Sequence, residues 1–191
     1  MKRISQPLLS IIAYPFLGFH PTVLTLLSLL FALLFFILLT SHMYTLAFLA
    51  LLGSVFDAID GYVARKTGKE SLFGGFLDST LDRVSDFLIL AAFGYGGLVE
   101  FSLVLPVLAT TFLVSYTRAR SELSGKQMSA GIFQRTERFM LLGLGLLIFI
   151  LNPTLVVANY PILQLAFILI LIFNGITIAQ RIFLTHRVLS K

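Results

Sequence analysis

Long apolar runs separated by short polar breaks dominate the chain. The first run opens at His20-Pro21-Thr22, where a proline sits at a helix start, and continues uncharged to about Thr40. After the turn Ser41-His42-Met43 a second run extends from Tyr44 to about Arg65, and a third from about Phe76 to Leu98. A fourth has its core at Leu103 to Tyr116 and continues into the polar segment 117–129. The fifth covers about Phe139 to Leu151 and stops at Asn152-Pro153; the sixth covers about Pro161 to Ile182. Several of these runs have the roughly 17–25 residues that cross about 30 Å of hydrocarbon at about 1.5 Å per residue. Strands of a membrane barrel would alternate apolar and polar positions, and these runs do not. The pattern predicts an all-α integral membrane protein with six transmembrane helices.

Residues 1–19 carry Lys2 and Arg3, followed by apolar positions interrupted by Pro7 and Pro15. The prolines break the region a cleaved signal would need, so the expectation is an amphipathic juxtamembrane helix lying in the interface. No internal repeat or linker divides the rest. The chain therefore reads as a single domain over residues 1–191: an interfacial helix at 1–19 and a six-helix bundle at 20–191.

Composition agrees and adds a direction. The chain is 58% hydrophobic and only 12% charged, whereas soluble domains carry about a quarter charged residues. With six crossings, both termini and the 2–3 and 4–5 connections share one side, and all 14 Lys and Arg fall on or beside it. The opposite connections, 41–43, 99–102 and 152–160, hold no Lys or Arg. The positive-inside rule then makes both termini cytoplasmic and places the protein in the cell membrane as a multi-pass chain. The net charge of +5 fits contact with anionic membrane lipids; without a basic, aromatic-interleaved surface it does not predict nucleic-acid binding. The chain has no Cys and three His, which leaves carboxylate oxygen as the available metal ligand and favours hard ions such as Mg2+ or Mn2+.

The carboxylates are concentrated where the second and third runs meet. Asp57 and Asp60 are three residues apart and Asp78 and Asp82 four apart, so each pair shares a helix face. The short connection from Lys66 to Phe73 makes those helices antiparallel neighbours, and the two acid faces can converge near the cytoplasmic helix ends. Four such acids repel one another unless divalent cations, two per site, sit among them, an arrangement that clamps phosphoryl oxygens. Gly61 and Ala64 leave room on the same flank, and Arg65 offers a cationic fork to a phosphate. The competing structural reading is a set of interfacial salt bridges with Arg65, Arg83 and nearby lysines. A cation transporter would also use intramembrane acids, but it needs them at mid-membrane depth rather than at helix ends.

The spaced set Asp57-x2-Asp60-Gly61-x2-Ala64-Arg65-x8-Gly74-x3-Asp78-x3-Asp82 resembles, at every fixed position, the signature of the CDP-alcohol phosphotransferase family. The resemblance implies that Asp57, Asp60 and Asp78 ligate metal, and that Asp82 lies near the second metal and serves as general base. Gly61, Arg65 and Ser71 would contact a CDP-lipid, with Pro21 and Thr22 as further candidates and Ala64 giving space. Gly74 reads as a packing position, and Asp86, outside the motif, as an ion-pair partner of a nearby Arg. The implied reaction is attack of an acceptor hydroxyl on the β-phosphorus of a CDP-lipid, releasing CMP at the cytoplasmic face.

Two further segments bear on the acceptor. Ser115-Tyr116-Thr117-Arg118-Ala119-Arg120 and Gly131-x3-Arg135-x-Glu137-Arg138 resemble patterns of the phosphatidylinositol-phosphate synthase branch, including its archaeal form acting on CDP-archaeol. This implies that Arg118, Arg135 and Arg138, with Arg181, hold the phosphate of inositol 1-phosphate or another small polyol phosphate. Glycerol 3-phosphate is the alternative acceptor; serine, which lacks a phosphate, needs fewer arginines. The lipid would be CDP-diacylglycerol or CDP-archaeol, and relatives imply a homodimer.

Overall fold

The computed structural model describes residues 13–53, 56–123 and 131–190. The chain forms two compact units, Met1–Ala92 and Phe93–Lys191. Among the described residues there are seven α-helices, a short 3-10 turn at Tyr14–Phe16 and one two-stranded hairpin. The amphipathic helix expected over 1–19 lies largely outside the described residues.

In the first unit, α1 (Pro21–Thr40) is followed by α2 (Tyr44–Leu52), α3 (Phe56–Thr67) and the start of α4 (Leu72–Tyr95). Pro21 occupies the first helical position of α1, where its fixed φ suits the helix and its missing N–H costs nothing. Along α1, Leu24, Thr25, Ser28, Ala32, Phe35 and Leu39 are buried, a spacing of three and four that defines one packed face. The remaining circumference is also apolar: Leu26, Leu30, Leu33 and Ile37 are exposed. A helix apolar all round suits a lipid surrounding.

The sequence predicts one continuous crossing from Tyr44 to Arg65. The structure contains two helices there, α2 and α3, flanking residues 54–55, which lie outside the described set. Both pack on α1. At the end of α2, Gly53 lies against the Phe31 ring so closely that a Cβ would overlap it. Phe31 in turn stacks on Phe56 with centroids 5.5 Å apart, and Phe56 meets Phe16 edge-on at 5.3 Å. Ala13, Leu24, Ile59 and Val63 form the apolar cluster under these rings.

The connection from α3 to α4 is closed at both ends. Gly68 takes φ +67°, and the Lys69 N–H bonds back to the Ala64 carbonyl at 3.0 Å, the six-to-one bond of a Schellman turn. Ser71 then caps α4, its Oγ accepting the Gly74 N–H at 3.0 Å. A Cβ on Gly74 would come within 2.9 Å of that Oγ, which gives this glycine the packing reason expected of it. Helix α4 thus begins four residues earlier than the apolar pattern suggests, because the cap rather than hydrophobicity sets its start.

In the second unit, α4 ends at Tyr95, and Gly94 and Tyr95 pack on Phe101 at the start of α5 (Phe101–Glu122). A capping box between Gln134 and Glu137 starts α6 (Arg135–Leu151), and a hairpin, β1 (Val156–Val157) with β2 (Tyr160–Pro161), precedes α7 (Ile162–Leu189). The hairpin turn, Ala158-Asn159, has positive φ at both residues, the twist a two-residue hairpin requires. Helices α5 and α6 both pack on α7; a Cβ on Gly145 of α6 would come within 3.3 Å of the Ala166 Cβ, a tight contact. Inside the α5–α7 contact, Asn174 donates to Thr110 at 3.2 Å and Thr111 at 3.1 Å.

Among the described residues, three helices are long and apolar enough to cross a membrane: Pro21–Thr40, Phe101–Glu122 and Ile162–Arg187. The fold is that of an all-helical, membrane-embedded protein.

Candidate functional site

The acids of the first unit come from two helices. Asp57 sits in the first turn of α3 and Asp60 one turn further; Asp78 and Asp82 lie on one face of α4. Carboxylate oxygens of Asp57, Asp78 and Asp82 all lie within 4.8 Å of one another, and the three side chains are half-buried. Oxygens sharing one Mg2+ or Mn2+ are at most about 4.2 Å apart, so this set needs only small side-chain movements to close on an ion. Asp78 Oδ1 is shielded from solvent. An all-carboxylate, partly desolvated donor set fits a hard divalent cation.

The expected convergence of four acids is met by three. Asp60, 3% exposed, is outside that trio and accepts a hydrogen bond from Thr25 Oγ1 of α1 at 2.5 Å. The reason is the helical phase: Asp60 is one turn deeper than Asp57 on the side of α3 that packs on α1. Arg83 Nη1 lies 3.5 Å from Asp82 Oδ2, both groups partly solvated, which makes a weak pair. Asp86, 1% exposed, continues the same face of α4.

A cavity of about 220 Å3 opens beside the trio. Pro21, Thr22, Gly61, Ala64, Arg65 and Ser71 all line it, together with Asp60 and Asp78. Asp78 therefore belongs both to the trio and to the cavity wall. Gly61 keeps a gap open against Arg65: a Cβ there would meet the guanidinium at 3.5 Å. His20 and Gly74 also line the cavity, as do Thr25, Lys69, Glu70 and Gly75, which the sequence did not mark as site residues. For Thr25 a signal existed. It and Ser28 are polar residues three apart on an otherwise apolar helix face.

In the second unit the four arginines have different surroundings. Arg118 is exposed and pairs with Glu122 at 3.0 Å, one turn along the same helix. Arg135 lies over the Phe139 ring, 4.9 Å from its centroid. Arg138 and Arg181 are buried, 2% and 4% exposed, and Arg181 donates to the Val114 carbonyl. Of these four, Arg181 alone lines the cavity of about 540 Å3 between the ends of α5 and α7. Arg120, Ser121, Thr185 and His186 share that cavity, and Ser121 and Thr185 hydroxyls lie 2.9 Å apart. Arg120 is part of the segment read from the sequence but was not picked from it.

A family model for CDP-alcohol phosphatidyltransferases matches residues 19–185. The chain is 35% identical over 190 residues to the archaetidylinositol phosphate synthase of Pyrococcus horikoshii, covering 96% of this chain and 89% of that one. It is 40% identical over 118 residues to the phosphatidylinositol phosphate synthase of Corynebacterium glutamicum, covering 56% and 53% of the two chains. Among solved structures it is similar to the phosphatidylinositol phosphate synthase of Mycobacterium tuberculosis with CDP-DAG bound, with a TM-score of 0.74 at 25% identity over 96% of this chain and 94% of that one. The complex of that synthase with manganese and citrate gives a TM-score of 0.72 at 26% identity, over 93% and 88% of the two chains.

Proposed function

This chain belongs to the CDP-alcohol phosphatidyltransferase family, and from that premise we propose that it transfers the phosphatidyl or archaetidyl group of a CDP-lipid to a hydroxyl of inositol 1-phosphate, releasing CMP. The observation that carries the reading is the junction at Asp78: a trio of converging carboxylates adjoins a cavity walled by small residues and a guanidinium. That combination suits a diphosphate, whose charge needs cations and whose bulk needs the space Gly61 and Ala64 leave.

Asp57, Asp78 and Asp82, with Asp60 nearby, would hold Mg2+ or Mn2+, two ions per site. When bound, such ions neutralise the diphosphate and make CMP a better leaving group. The remaining work falls to the protein. Arg65 binds a phosphate oxygen from the cavity mouth. Pro21, Thr22, Gly61, Ala64 and Ser71 shape the wall against the nucleotide and the start of the lipid; Ser71 does so while capping α4. Asp82 takes the proton from the acceptor hydroxyl as it attacks the β-phosphorus. Arg118, Arg135, Arg138 and Arg181 are assigned to the acceptor phosphate. The buried pair, Arg138 and Arg181, contribute most, because a guanidinium already desolvated binds an anion more strongly than one in water.

Six crossings with both termini and the carboxylate site at the cytoplasmic face of the cell membrane, and a homodimeric assembly, complete the reading. The distribution of Lys and Arg supports the orientation. An acceptor screen tests the function: purified protein with Mn2+ or Mg2+ and a CDP-lipid should release CMP with inositol 1-phosphate and far less with glycerol 3-phosphate, inositol or serine. Absence of CMP release with every acceptor would refute it, and preference for glycerol 3-phosphate would reassign the acceptor.

A further inference from the structure

Thr25 sits in the middle of an apolar stretch of α1, 7% exposed, and its hydroxyl reaches a carboxylate 35 residues away. A threonine in an apolar helix ordinarily returns its proton to the carbonyl four residues back. Here that carbonyl, of Pro21, is 3.3 Å away, whereas Asp60 Oδ2 is at 2.5 Å. One hydroxyl proton cannot serve both well, and the shorter contact lies at the tight end of the range for a hydroxyl donating to a carboxylate. The β-branch of threonine limits its side-chain rotamers in a helix, so the donor is held in place before Asp60 meets it.

Asp60 has reason to need such a donor. It is 3% exposed and lines the cavity that also contains Asp78. A carboxylate with one oxygen tied by a fixed donor cannot rotate freely about its last torsion, so the orientation of its second oxygen is settled as well. Residues that orient a metal-binding carboxylate in this way typically influence ion affinity by about 10–100-fold.

We infer that Thr25 is a positioning residue for Asp60, holding its carboxylate through α1 in the orientation that a divalent cation and the CDP-lipid diphosphate require. The inference rests on the function proposed above and extends it to a residue outside the acidic motif. It also makes α1 part of the site's machinery rather than a passive membrane span.

The test is titration of the metal-free protein with Mn2+, reading free Mn2+ by electron paramagnetic resonance, alongside CMP release. Thr25→Val keeps the shape and removes the donor. It should raise the Mn2+ dissociation constant about tenfold, with the thermal midpoint of the metal-free protein unchanged. Thr25→Ser, which restores the hydroxyl, should return the constant to within about threefold of wild type, and Thr25→Ala should behave as Thr25→Val does. An unchanged Mn2+ constant in both Thr25→Val and Thr25→Ala overturns the inference, as does a serine variant as impaired as the valine one. These outcomes are separable from failure of the function itself, in which the wild-type protein would neither bind Mn2+ nor release CMP.

Discussion

The charged groups of the first unit and those of the second are held in different ways. Asp57, Asp60, Asp78 and Asp82 lie on two helices joined by a short connection that is stapled at both ends, by Gly68 with Lys69 on one side and by Ser71 with Gly74 on the other. Little beyond helix geometry and that connection is needed to bring three of the carboxylates within 4.8 Å. Arg118, Arg135, Arg138 and Arg181 come from three helices, and each is engaged differently: with a glutamate, a ring, the protein interior or a carbonyl of another helix. The acidic site is thus a property of one supersecondary unit, whereas a cationic site would have to be a property of tertiary packing.

That contrast can be broken most forcefully at the reacting centre. Asp82→Asn should lower the turnover number for CMP release by about 10²–10⁴-fold, the usual contribution of a general base; turnover near wild type would remove Asp82 from that role. Next in size is Arg138→Ala. Loss of a buried charged donor, worth about 1.5–3 kcal/mol, should raise the KM for inositol 1-phosphate tenfold or more while the turnover number holds. If KM does not move, the buried arginines are structural and the second unit carries no acceptor site on them.

Smaller effects sharpen the distinction between local and tertiary construction. Gly53→Ala forces a methyl into the Phe31 ring and should cost about 1–3 kcal/mol, as overpacking does, read as a lower thermal midpoint in detergent. Because the trio depends on α3 and α4, Mn2+ affinity should survive this change; a parallel loss would show that the site leans on the α1–α2 contact. Arg118→Ala should do least. Its pair with Glu122 is exposed and worth about 0.3–0.5 kcal/mol, and KM should shift less than about threefold if Arg138 and Arg181 dominate the acceptor phosphate.

The same difference explains what could be read from the residues alone. The motif from Asp57 to Asp82 is dense, its spacings are helical, and the six residues expected to meet the CDP-lipid all line one cavity with Asp60 and Asp78. Helix existence was equally legible from apolar runs. Boundaries were not, since the start of α4 is set by the Ser71 cap. Thr25 escaped because a hydroxyl in an apolar helix has a ready local acceptor, and only tertiary contact shows that Asp60 takes the bond. Asn174 and Thr177 escaped likewise: they are wholly buried polar residues three apart on α7, and nothing in their neighbours along the chain announces the contact of Asn174 with Thr110 and Thr111.

Asp78 has a consequence of its own. One side chain contributes to the carboxylate trio and to the wall of the neighbouring cavity, so a cation on the first and an anion in the second cannot be independent guests. Their affinities are thermodynamically linked, and the linkage is reciprocal: whatever factor Mn2+ adds to the affinity for CDP-lipid, the lipid must return to Mn2+. Neither partner is then the cofactor of the other in any privileged sense. Wherever the ion site is only partly filled, a membrane richer in CDP-lipid would leave more metal on this protein.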